Sequence, residues 1–114
     1  MWFTRFAGKE NIKDSELKEI VNQLEMGYAN ADLGGGVYKM RMARSGKGKS
    51  GGYRVIMFFR SKEKTFYHYA YPKAARENIS EKELQFFKKL SKKYLALTDD
   101  QLATALDAGE LIEI

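Results

Sequence analysis

The feature that most constrains the fold is a run of three strand-like segments in the middle of the chain. Residues 37–43 (VYKMRMA) alternate between two faces, residues 53–60 (YRVIMFFR) are almost continuously apolar, and residues 65–71 (TFYHYAY) end at Pro72. A period of two is typical of strands, and a uniformly apolar strand is typical of the centre of a sheet. Because short connections join the three segments, we predict an antiparallel meander with residues 53–60 in its middle.

Helical spacing precedes the predicted sheet. Apolar residues recur at i, i+3, i+4 and i+7, at Leu17, Ile20, Val21 and Leu24. Either Asp14 or Ser15 is a candidate N-cap, and Gly27 stands where a left-handed C-terminal cap is expected. A single apolar stripe predicts a helix that lies on one face of the sheet.

Two capping-box sequences mark two helices after the sheet. Residues 80–83 (SEKE) open one helical pattern, and residues 98–101 (TDDQ) open a shorter one that stops at Gly109. In the shorter helix we expect three residues to face inward, namely Leu102, Ala105 and Leu106. The final residues 111–114 (LIEI) alternate and are predicted to add an edge strand.

These elements predict an α+β fold in one domain over residues 1–114. It consists of an N-terminal helix packed on an antiparallel sheet meander, followed by two C-terminal helices. The chain has no cysteine and a single histidine, which excludes a disulfide framework and makes a structural zinc site improbable. No apolar run is long enough to cross a bilayer and no signal-peptide core is present, so we expect a cytoplasmic protein without a membrane partner.

Glycine-rich segments flank the first predicted strand. Gly34–Gly36 lacks the spacing of a dinucleotide-binding loop and does not open a helix, so we predict a flexible turn. Residues 44–52 (RSGKGKSGG) have no apolar anchor and are predicted to form a loop. Its Gly-Lys-Ser resembles the end of a phosphate-binding P-loop, but Ala43 replaces the first glycine and a strand follows, which excludes that motif.

Charge is concentrated in the strand region. Residues 37–76 hold eleven basic residues and one acidic residue, a net charge of +10, whereas the rest of the chain sums to −5. Aromatic residues are interleaved with these cations. Cations that neutralise phosphates beside rings that stack on bases are typical of a nucleic-acid site. The alternative is a solvated hairpin that is merely rich in lysine.

The cations on the predicted sheet could act together. Lys39 and Arg41 share one face, Arg54 begins the adjacent strand, and Lys73 and Arg76 follow the third strand. Such a cluster can hold a phosphodiester and stabilise charge on its oxygens without a metal. A passive phosphate-binding face has the same spacing, so the residues alone leave both interpretations open.

Three stretches, VYKMRMA, GKGKSGGYRVIMFFR and YAYPKAARENIS, resemble the RelE/HigB superfamily of bacterial toxins. The similarity covers about residues 3 to 114 and is strongest to the branch with a GGG-x-YK-x-R strand and a GKSGGYR loop. The resemblance implies the toxin half of a type II toxin–antitoxin module, partnered by an antitoxin with a helix-turn-helix domain. It further implies an endoribonuclease that cuts mRNA on the ribosome without a metal or another cofactor, and thereby inhibits translation.

The resemblance also assigns roles to residues. Arg54 would clamp the scissile phosphate, Lys39 would accept a proton, Arg41 would position the backbone, and Lys73 or Arg76 would assist the leaving oxygen. Further RNA contacts would come from the loop and its flanks and from a stacking ring, at Arg44, Lys47, Lys49, Tyr53, Tyr71 and Arg76.

The chain departs from the family in two places. Many relatives begin with a complete strand before the equivalent of Trp2, and we expect this strand to be either lost here or replaced by residues 111–114. Tyr94 does not match a catalytic C-terminal tyrosine, because it lies at core helical spacing, and we expect His68 to be structural. Two other functions stay open: a ParE-type toxin that inhibits DNA gyrase, and a non-catalytic RNA-binding domain.

Overall fold

The computed structural model describes residues 3, 12–28, 31–44, 48–60, 64–72, 79–109 and 111, with side chains left out for residues 43–51. It confirms the α+β architecture, in which an N-terminal helix precedes an antiparallel sheet and two further helices follow it. The helices are α1 (Asp14–Glu25), α2 (Glu81–Leu95) and α3 (Asp99–Asp107). The strands are β1 (Ala31–Gly34), β2 (Val37–Arg44), β3 (Gly48–Arg60) and β4 (Lys64–Pro72).

The sheet has the order β1-β2-β3-β4, and each pair is antiparallel. The predicted meander is therefore confirmed, with β3 in its interior and its residues 53–59 all buried. Strand β1 was missed by the prediction, because the four residues ADLG show no alternation and end in glycine. The predicted loop at 44–52 was too long, since β2 extends to Arg44 and β3 already begins at Gly48.

The turn between β1 and β2 depends on glycine. Gly35 and Gly36 have φ angles of 63° and 81°, which suit a two-residue hairpin turn and disfavour residues with a side chain. Helix α2 covers this turn closely, because the fully buried Ser91 hydroxyl donates to the Gly35 carbonyl over 2.9 Å. The predicted turn is confirmed, and helix α2 packs against it.

Helix α1 packs on one face of the sheet through Leu17, Ile20 and Leu24, as its apolar stripe predicted. Its N-cap is Lys13 rather than Asp14 or Ser15, with the Lys13 N–H donating to the Glu16 carboxylate over 3.4 Å. At the other end Gly27 (φ 86°) forms the expected left-handed cap. The Tyr28 N–H donates to the Gln23 carbonyl over 2.8 Å, which completes a Schellman motif.

Helix α2 covers the opposite face of the sheet. Both C-terminal helices begin with the predicted capping boxes, at Ser80 and Thr98. In α2 the Glu83 N–H donates to the Ser80 hydroxyl over 3.1 Å, and the Ser80 N–H donates to the Glu83 carboxylate over 2.9 Å. Helix α3 buries none of its residues, and Leu106, predicted to face inward, is 37 % exposed.

Two terminal predictions fall outside the part of the chain that the structure describes. The expected edge strand cannot be checked because residues 112–114 are not described. The expected loss of an N-terminal strand cannot be checked because Met1 and Trp2 are not described either. Among the helices that are described, none is both long and apolar enough to cross a membrane.

Candidate nucleic-acid interface

The register of the sheet aligns three of the predicted site residues in one row. Arg41 of β2 pairs with Arg54 of β3, which in turn pairs with Tyr71 of β4. Directly paired residues on adjacent strands point to the same face of the sheet, so the three side chains lie side by side. Lys39 belongs to the next row on this face, where it pairs with Ile56, and Ile56 pairs with Tyr69. We call this surface the Arg54 face.

Arg54 is buried, with 7 % of its surface exposed. Its Nη1 atom is inaccessible to solvent and has no hydrogen-bond partner within the described structure. On this face of β2, β3 and β4, none of the described residues is acidic. A buried charge needs a counter-charge or hydrogen-bond acceptors, and the described strand residues of this face offer the guanidinium no carboxylate. The arrangement is therefore suited to an external anion.

Arg41 and Lys39 differ from Arg54 in their access to solvent. Arg41 is exposed and Lys39 is half-buried. An anion that approaches the sheet therefore meets Arg41 and Lys39 before it reaches Arg54. The shared face that the alternation of residues 37–43 predicted for Lys39 and Arg41 is confirmed.

The two tyrosines predicted to contact RNA occupy different places. Tyr53 is 2 % exposed and packs in the core beneath α1, on the face opposite Arg54. Tyr71 lies on the Arg54 face but is only 3 % exposed, with its ring 6.2 Å from that of Tyr69. Neither ring presents an open face for a base to stack on. Adjacent residues of a strand face opposite ways, which explains why Tyr53 and Arg54 separate.

The remaining predicted RNA contacts are only partly within the described structure. Arg44 ends β2 and Lys49 lies near the start of β3, so both lie at one end of the central hairpin. Their side chains are outside the description, and Lys47, Lys73 and Arg76 lie outside it altogether. The roles assigned to these five residues stay predictions.

His68 is structural, as expected. The register of β3 and β4 shifts between Ile56 and Met57, which leaves His68 as an extra residue in a β-bulge. Its ring stacks on Phe58 at 5.0 Å and meets Phe87 edge-on at 5.4 Å. Burial lowers its pKa, because a charged imidazole loses hydration among these rings. Tyr94 packs nearby against Phe58 at 5.7 Å, as its helical spacing predicted.

Two cations of the basic segment have a structural use that sequence reasoning missed. The Arg60 guanidinium donates to the Leu95 carbonyl over 3.2 Å, and the Lys64 ammonium donates to the carbonyls of Leu95 and Leu97. These acceptors stand at the end of α2, where carbonyls lack helical partners and the helix dipole is negative. Charge counting alone cannot separate such caps from ligand-binding cations.

Within the described residues, no three histidine, aspartate or glutamate side chains are grouped so as to hold a metal ion. The cations that the register brings together on the Arg54 face are Lys39, Arg41 and Arg54. Positive charge of this kind can bind a phosphodiester and stabilise additional negative charge on its oxygens.

Comparison with protein families identifies the group to which this architecture belongs. The model of the RelE toxin of the RelE/RelB toxin–antitoxin system matches residues 1–114. The chain belongs to the RelE toxin family. It is therefore a toxin of a toxin–antitoxin system, and a cognate antitoxin is its partner. No functionally curated protein shows significant similarity to this RelE toxin.

Proposed function

We propose that this RelE toxin is an endoribonuclease that cuts mRNA on the ribosome without a metal ion and so inhibits translation. The proposal is supported by family membership together with the Arg54 face. The single observation that carries it is the buried Arg54 guanidinium, which has an unpartnered Nη1 atom and lies in register with Arg41. We also place the toxin in the cytoplasm, where ribosomes are, and expect its antitoxin to carry a helix-turn-helix domain.

In the proposed reaction, the ribose 2′-hydroxyl attacks the adjacent phosphorus and the bond to the 5′-oxygen of the next nucleotide breaks. The products are a 2′,3′-cyclic phosphate and a free 5′-hydroxyl. The proton of the attacking hydroxyl passes to a base, and the leaving oxygen gains a proton. Negative charge increases on the non-bridging oxygens in the transition state, and a preorganised guanidinium stabilises it most effectively where water is excluded.

The roles follow the positions of the cations on the Arg54 face. Arg54 binds the non-bridging oxygens, and the more exposed Arg41 holds a neighbouring phosphate. Lys39, one row away on the same strand face, is the proposed proton acceptor, a role that a lysine can take in general acid–base catalysis. Lys73 or Arg76 is the proposed group at the leaving oxygen.

Translating bacterial ribosomes with a defined mRNA test the proposal. Primer extension maps the new 5′ ends made by the wild-type toxin and by the Arg54→Ala variant. We expect cuts at the ribosomal A site, reduced on the order of a hundredfold or more in the variant, as for loss of one donor to a developing oxyanion. Lys18→Ala, an exposed cation on the opposite side of the sheet, is the matched control and retains full cleavage.

The outcomes separate the proposal from its two alternatives. If folded wild-type toxin makes no cuts, the nuclease proposal is wrong, and inhibition of gyrase supercoiling is measured next. If Arg54→Ala weakens RNA binding but cleavage by the wild type is absent, the chain is a non-catalytic RNA-binding domain. If the variant cleaves like the wild type, Arg54 does not have the proposed role.

A further inference from the structure

A second group of cations lies outside the basic strand region. Nine basic residues fall outside residues 37–76, and five of them belong to α2, namely Lys82, Lys88, Lys89, Lys92 and Lys93. The stretch from residue 84 to residue 98 contains four of these lysines and no acid. Helix α2 is therefore a local exception to the acidic balance of the rest of the chain.

Three of these lysines share the solvent face of α2. Lys82, Lys89 and Lys93 are spaced by seven and four residues, which places them along one line of a helix with 3.6 residues per turn. All three are exposed, whereas the opposite side of the helix buries Phe87, Ser91 and Leu95. The line extends about 16 Å along the helix, given a rise of about 1.5 Å per residue.

An exposed aromatic ring interrupts this line of charge. Phe86 lies one turn from Lys82, one turn from Lys89 and two turns from Lys93, and 56 % of its surface is exposed. Its ring lies 6.0 Å from that of Phe87, yet more than half of its surface stays open to solvent between the lysines. We call Lys82, Phe86, Lys89 and Lys93 the α2 ridge.

The N-terminal half of α2 lies at the Arg54 end of the sheet. The Phe87 ring lies 5.9 Å from that of Tyr69, while the Tyr94 ring lies 5.3 Å from that of Phe66. Helix α2 therefore runs from the Arg54 end of the sheet towards its far end. Lys82, in the first turn, stands nearest to the row of Arg54 and Tyr71. A chain bound at the Arg54 face could continue along the ridge.

We propose that the α2 ridge is a second binding surface for single-stranded RNA, with its lysines on phosphates and Phe86 stacked on a base. Charge complementarity favours this partner, since cations interleaved with an exposed ring are how proteins hold single strands without reading their sequence. A protein partner fits less well, because lysine is depleted in protein–protein interfaces and costs rotamer entropy when it is ordered there. The inference rests on the proposed action on RNA and adds a site to it.

The test measures binding without cleavage. The probe is a short single-stranded RNA whose riboses are all 2′-O-methylated, so that no 2′-hydroxyl can attack. Fluorescence anisotropy gives its affinity for the purified toxin across a series of KCl concentrations. We compare wild type with Lys82→Ala/Lys89→Ala and with the control Lys13→Ala/Lys18→Ala, which removes two exposed lysines from the region of α1. Each double variant lowers the net charge of +5 by two.

The α2 double variant should lower the slope of log affinity against log salt by about 1.4, or about 0.7 for each lost single-strand phosphate contact. The control should leave the slope unchanged. Phe86→Ala should weaken binding about tenfold with little change in slope, because stacking does not release counterions. Circular dichroism checks that each variant keeps its helices.

Three results would overturn the inference. Equal slopes for the two double variants would mean that only net charge matters. An unchanged RNA affinity combined with weaker antitoxin binding would assign the ridge to the protein partner. An unchanged affinity for both partners would leave it a solvated helix face. Because the methylated probe cannot be cut, the anisotropy experiment reports on binding alone. Its failure would leave the nuclease proposal standing, and a failure to find A-site cleavage would leave the binding result standing.

Discussion

Gly36 shows how strictly one residue can be specified. Its φ of 81° disfavours a side chain, and an added Cβ would lie 2.6 Å from Leu95 Cδ1 and 3.0 Å from Ser91 Oγ. We expect Gly36→Ala to lower the free energy of unfolding by about 2 to 4 kcal/mol, combining left-handed strain with overpacking. Urea denaturation measures the change. Gly27→Ala is the control. Gly27 has a φ of 86°, but an added Cβ would meet no atom within 4 Å, so this variant should lower the free energy of unfolding by only about 1 kcal/mol.

At the scale of elements, α2 is held at its C-terminus by the hairpin of β3 and β4. The cations of Arg60 and Lys64 donate to the carbonyl of Leu95, the last residue of the helix, and Lys64 also donates to that of Leu97 just beyond it. Arg60→Met keeps the apolar stem of the side chain and removes its charge. We expect it to lower the free energy of unfolding by about 1 kcal/mol, because it loses a charged hydrogen bond and the interaction with the helix dipole. Urea unfolding of Arg60→Met tests this, with Lys18→Met as the control. Equal midpoints for the two variants would contradict the capping role.

The elements also show what a sequence can reveal. Both C-terminal helices were predictable, because a capping box is a local signal at Ser80 and Thr98. Strand β1 was not, since its four residues gain strand geometry only by pairing with β2. The shared face of Lys39 and Arg41 follows from alternation alone, whereas the pairing of Arg41 with Arg54 depends on the register of β2 against β3, which alternation does not specify. The burial of Tyr71 depends on tertiary packing, which no local pattern encodes.

The whole molecule should respond to pH through His68. Burial lowers its folded-state pKa below the ordinary value of 6.5, so the unfolded chain binds the proton first as the solution is acidified. Stability should therefore be complete above about pH 6.5 and fall below it, by at most about 1.4 kcal/mol per pH unit for this one group. Thermal unfolding at pH 7.5 and pH 5.5 measures the loss, and His68→Phe should reduce it. An equal loss in both proteins would place the effect on carboxylates instead.

The order of the strands has a consequence for how the toxin reaches its folded state. Each strand pairs with its neighbour in sequence, so closing each hairpin costs little loop entropy, and short-range topologies of this kind fold quickly. The contact of Ser91 with Gly35, 56 residues apart, must wait until α2 has been synthesised. The sheet that carries Arg41, Arg54 and Tyr71 can thus assemble on the nascent chain before α2 covers it. Because the sheet can form this early, little time separates synthesis of the toxin from a folded candidate interface.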